Sequence, residues 1–197
     1  MRRTALLCSL LFLAGCSSVG TPDSLRSTLT RTNNTTATPQ ALNYCHGGGC
    51  VYTTRVKFTD KDWQNISKLF RKIKTPEAER SALIKATQQF ENLASTQAST
   101  STDKPGTFSG GAARDQLDCH DEMLNTAVFL HLLQNEKLLK FHTALGPAVR
   151  GHFIFGWPHT AMALQDTTTQ NIYILDTWEN PLTEPPLLLP ENDWRKN

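Results

Sequence analysis

The chain has little net charge to offer a polyanion. Its 20 basic and 18 acidic side chains leave a formal charge of +2, and Arg2 with Arg3 accounts for that excess. Beyond those two, 18 basic residues face 18 acidic ones. No basic surplus therefore points to a nucleic-acid partner. A long second apolar run is also missing; no later stretch approaches the ~20 residues that a membrane-spanning helix needs. No phosphate loop is present, because Gly47-Gly48-Gly49 is not followed by Lys and Ser or Thr. Structural zinc usually takes two tight ligand pairs. Only Cys45-His46 with Cys50, joined at most by Cys119, offers one. Neither a cofactor nor a metal is expected. No internal repeat is evident.

What is present begins at the N-terminus. Arg2 and Arg3 precede an apolar run from Ala5 to Ala14 that only Ser9 interrupts. Such a run is too short to span a bilayer and fits a removable export leader. Leu13-Ala14-Gly15-Cys16 then resembles the lipobox of bacterial lipoproteins. That resemblance implies cleavage after residue 15 and lipid on Cys16, the chain's only membrane anchor. Ser17, rather than Asp, follows the cysteine. By analogy with enterobacterial sorting this favours the outer membrane, facing the periplasm.

Of five cysteines, Cys8 leaves with the leader and Cys16 takes the lipid. Cys45 and Cys50 flank the three glycines and can close a small disulfide in an oxidising compartment. Cys119 is left alone, either a buried hydrophobe or a reactive thiol.

Residues 16–40 are rich in Ser, Thr, Asn and Pro and read as a flexible tether. Residues 41–197 read as one domain. Thr59 with Asp62 has capping-box spacing before Trp63, Ile66, Phe70 and Ile73. Thr75-Pro76 starts a second helix with Leu83, Ala86, Phe90 and Leu93 inward. From Ser95 to Ala113 a loop is expected, and a third helix from Cys119 to Gln134. Strands follow at Phe141 to Leu145, Gly151 to Phe155, His159 to Gln165 and Ile172 to Trp178. Helices followed by a small antiparallel sheet make an α+β fold. The Pro-rich tail is expected to wrap the surface, with Trp194 docking back.

The segment Gln116-Leu117-Asp118-Cys119-His120-Asp121-Glu122 carries the chemistry. Asp118 is a good N-cap, which puts Cys119 in a first helical turn where free N–H groups favour an anion. Asp118, Asp121 and Glu122 oppose that effect, so a thiolate there needs an imidazolium, for which His159 is the candidate. If Gln165 pairs with Ile172, Trp178 falls opposite His159 and Asp176 opposite Ala161. His159 and Asp176 then share one sheet face, one diagonal step apart.

Three pieces, in this order, resemble the bacterial transglutaminase-like cysteine proteinases. They are Asp118-Cys119-His120-Asp121-Glu122, Pro158-His159-Thr160-Ala161-Met162 and Ile174-Leu175-Asp176-Thr177-Trp178. His120 stands where that family commonly has an acidic residue, and the part around Cys45 and Cys50 has no counterpart in it. The resemblance implies a papain-like core and attack on an amide carbonyl. Cys119 would be the nucleophile, His159 the general base and Asp176 its orienter, with the Cys119 N–H and the Gln116 side chain holding the oxyanion. The substrate would be a protein or peptide, cell-wall peptide included. The alternative is an envelope lipoprotein that uses the same fold as a binding or assembly module without turnover.

Overall fold

The computed structural model describes residues 18–107, 113–151 and 158–197. Cys16 lies outside the described residues, as does most of the strand expected from Gly151 to Phe155. The elements run β1 (Ser18–Val19), α1 (Pro22–Arg31), β2 (Leu42–His46), β3 (Tyr52–Val56), α2 (Asp60–Lys68) and α3 (Pro76–Ala98). Then come α4 (Cys119–Asn135), β4 (His142–Arg150), β5 (His159–Asp166), β6 (Ile172–Asp176), β7 (Leu187–Pro190) and α5 (Glu191–Trp194).

Helix α4 is the centre. Residues on every side of it are buried, from Met123 and Leu124 to Leu132 and Leu133, as expected for a helix without a polar face. One side packs on β5 and β4, and other sides meet α1, β2 and α3. Phe129 stacks on Phe90 of α3 at 4.6 Å between ring centroids. Burying each such ring contributes about 1.5–3 kcal/mol.

The main sheet is antiparallel in the order β1-β4-β5-β6-β7, and β2 with β3 forms a separate hairpin. The architecture is therefore α+β. The capping boxes expected at Thr59 and the start at Thr75-Pro76 are found. The second helix runs on to Ala98, taking in the start of the expected loop. It ends where Ser99 adopts the left-handed conformation.

The flexible tether is not what residues 18–40 form. Thr21 and Ser24 make a reciprocal capping box, and Leu25, Thr28 and Leu29 bury one face of α1 against β4 and α4. Two apolar residues at i, i+4 spacing suffice because the rest of the domain supplies the complementary surface. The close approach needs Gly146, at φ +154°, where a Cβ would stand 2.2 Å from Ser24 Oγ. The Pro-rich tail is also more than a wrapping: Leu187 to Pro190 pair with β6, and α5 then buries Trp194 completely.

Candidate active site

Asp118 caps α4 by accepting from the N–H groups of His120 at 3.0 Å and Asp121 at 2.8 Å. Cys119 is therefore the first residue of that helix. The β2–β3 hairpin clamps this start. Its turn N–H groups donate to the two acids: Gly48 and Cys50 to Asp121 at 2.7 and 2.6 Å, and Gly49 to Asp118 at 2.9 Å. A Cys45–Cys50 disulfide closes the turn. Gly47 sits at φ +87° with Tyr52 2.5 Å from where a Cβ would be. Asn125, two turns along α4, exchanges bonds of 2.7 and 2.9 Å with the Cys45 backbone. The part around Cys45 and Cys50 thus fixes the start of the helix that Cys119 opens.

The Cys119 thiol is only 6% exposed, and burial pushes it up to about 11, helped by the charges of Asp118 and Asp176. The N–H groups of Thr160 and Cys119 itself pull the other way without prevailing. The expectation of a low-pKa thiolate is thereby corrected. Desolvation of the anion outweighs the helix N-terminus.

The β5–β6 register pairs Gln165 with Ile172 and Met162 with Leu175, which puts His159 and Asp176 on one face. Nε2 of His159 lies 2.6 Å from Asp176 Oδ2. A carboxylate only accepts, so Nε2 carries the hydrogen of this bond. Nδ1 is buried without a hydrogen-bond partner among the described residues. Trp178 stacks on the ring at 4.8 Å, and its backbone N–H donates to Asp176 Oδ1 at 3.3 Å.

Two further groups were not legible as site residues. The Trp194 indole N–H donates to Asp176 Oδ2 at 2.6 Å, so the carboxyl terminus of the chain helps to hold the carboxylate. Arg150 pairs with Glu179, lies 4.7 Å over the Trp194 ring and bonds the Trp194 carbonyl.

Cys119 and His159 line one open cleft of about 440 Å³. Gln116 does not. Its amide donates to the Thr102 and Asp115 carbonyls and its oxygen accepts from Lys104 N–H. The oxyanion role expected for it is corrected; its side chain is spent on the turn at residues 102–104. His131 and His142 bond Asn135 and Glu79 outside the cleft. One set of metal-ligating types occurs among the described residues, His159, Asp176 and Glu179, with ligand atoms within 4.8 Å of one another. A cation there would compete with the Trp194 N–H and with the Arg150 guanidinium.

Behind the site, Glu91 and Glu122 are buried together with Thr177, whose hydroxyl donates to Glu122 at 2.9 Å. Burial drives Glu122 well above the carboxylate range, with Glu91 and Asp103 adding to it. Glu91 rises to about 8, also through burial first. Burial therefore favours the protonated form of both acids. No protein-family model, curated protein or solved structure matches the chain.

Proposed function

We propose that the chain is a thiol-dependent amide hydrolase or acyl transferase of the cell envelope, built on a papain- or transglutaminase-like core. One observation carries this. His159 is oriented through Nε2 by Asp176 while its Nδ1 has no partner among the described residues, and it lines the same cleft as a cysteine that opens a helix. A general base needs a ring nitrogen that no other group has engaged.

Burial keeps the resting Cys119 thiol protonated. His159 Nδ1 takes the thiol proton as Cys119 Sγ bonds to the substrate carbonyl. Asp176 stabilises the imidazolium so formed, and that imidazolium returns the proton to the leaving amine. The Cys119 N–H is the oxyanion donor that this arrangement leaves available. Water or an acceptor amine then resolves the thioester, giving hydrolysis or transfer.

The protonated thiol also favours the second reading, a binding module without turnover. Acylation of Cys119 by p-nitrophenyl acetate separates the two. The enzyme gains the mass of one acetyl group at Cys119 and releases nitrophenol; the module does neither.

The same proposal places the chain on a membrane through lipid on Cys16. Among the described residues no helix is long and apolar enough to cross one. Ser18 already pairs with Val149, which lines the cleft. Two residues of chain reach at most about 7 Å, so the lipid would hold the cleft beside the bilayer. Cys16→Ser should abolish metabolic labelling with a radioactive fatty acid, and undiminished labelling of that variant would contradict the anchor.

A further inference from the structure

The cleft has a single charged wall. Arg31, the last residue of α1, lines it beside Cys119, His120 and His159. Its guanidinium has no carboxylate within ion-pair distance among the described residues. Among the described residues its one side-chain partner is His120, whose Nε2 lies 3.4 Å from Nη2. Facing a guanidinium, that nitrogen is the acceptor, so His120 is neutral. Burial first, and Arg31 next, hold its pKa below the usual histidine range. Asp118, whose charge opposes these effects at His120, is committed to capping α4 and to Gly49. Thr28 and Thr160 are the uncharged polar residues of the lining, and Met123, Pro147, Val149 and Pro158 are apolar.

An arginine with free donors, always charged and set over an apolar floor, matches a carboxylate. We propose that the cleft accepts an acyl group bearing a carboxylate close to the carbonyl that Cys119 attacks, with Arg31 as the residue that selects it. This rests on Cys119 being the reacting group of the cleft. Arg31 supplies the sign of the charge, and the apolar wall supplies contact for the rest of the acyl chain. His120 fixes the guanidinium, which explains why a neutral side chain follows the nucleophile.

Two alkylating reagents of similar size and opposite demand test it: iodoacetate, an anion, and iodoacetamide, which is neutral. Rates on Cys119 are measured by intact mass at one alkaline pH and divided by the rates on free cysteine. The wild type should favour iodoacetate by roughly three- to tenfold, the effect of one nearby unit charge at a partly wetted site. Arg31→Gln should abolish that preference, Arg31→Lys should retain part of it, and high salt should weaken it. Arg31 is exposed at a helix end, and circular dichroism verifies that the variants fold. An iodoacetate preference that survives Arg31→Gln, or is absent in the wild type, overturns the assignment. Wild-type acylation by p-nitrophenyl acetate, measured on the same samples, reports on the thiol chemistry separately, so loss of one leaves the other readable.

Discussion

Trp194→Ala should lower the stability of the fold by about 3–5 kcal/mol. The side chain is fully buried, and its removal empties the space between the last helix and the sheet. It also strips a hydrogen bond from the Asp176 carboxylate, which is itself only 1% exposed. A buried carboxylate left short of donors adds to the cost. Trp194→Phe largely separates the two effects, since a buried ring stays, though a smaller one, and the N–H goes. That variant should lose only about 1–3 kcal/mol, yet acylate more slowly, because Asp176 would no longer be held against His159. Alkylation of Cys119 at high pH, which needs no base, should be unchanged. Urea denaturation gives the stabilities. A Trp194→Ala protein within about 1 kcal/mol of wild type would contradict the packing described for the tail.

The second large effect is a dependence of stability on pH that is unusual in sign. Glu91 rises from its ordinary 4.5 to about 8 in the folded chain, and Glu122 rises with it. The native state keeps a proton that the unfolded chain releases. The contribution is fully present below about 4.5 and drains away as pH rises towards about 8. The slope is about 1.4 kcal/mol per pH unit for each proton retained, on the order of several kcal/mol across the window. Glu91→Gln should remove the part of that slope that Glu91 contributes, leaving that of Glu122, and gain on the wild type as pH rises. Parallel stability curves for the two proteins across this range would show that Glu91 does not keep a buried proton.

Legibility in the sequence followed locality. Asp118 and Asp121 cap a helix from within four residues, so the start at Cys119 could be read directly. The hairpin between Gln165 and Ile172 fixed a register, and that register alone put His159 beside Asp176. The disulfide needed only short spacing and an exported setting. Readings failed where distant parts decide. Leu25 and Leu29 look isolated in a polar stretch, and α1 exists because β4 and α4 complete its buried face. Nothing near Trp194 tells that its N–H will meet Asp176. Gln116 looked free because its partners at residues 102–104 stand more than ten positions away. The Cys119 thiol was misjudged for a related reason, since a helix start is a local feature and burial is a global one.

The claim that most needs testing is that His159 acts as the base for Cys119. The direct measurement is the rate at which p-nitrophenyl acetate acylates Cys119, followed by nitrophenol release and intact mass across pH, in wild type, Cys119→Ala and His159→Asn. Positioned general bases contribute roughly 100-fold or more, so His159→Asn should acylate at least about 100-fold more slowly near neutral pH. The wild-type rate should already be high far below the value of about 11 to which burial drives the thiol. In the variant it should rise only as the thiol itself ionises. A wild type and a His159→Asn protein that acylate with one shared pH profile, or an acetyl group that never appears on Cys119, would contradict the account.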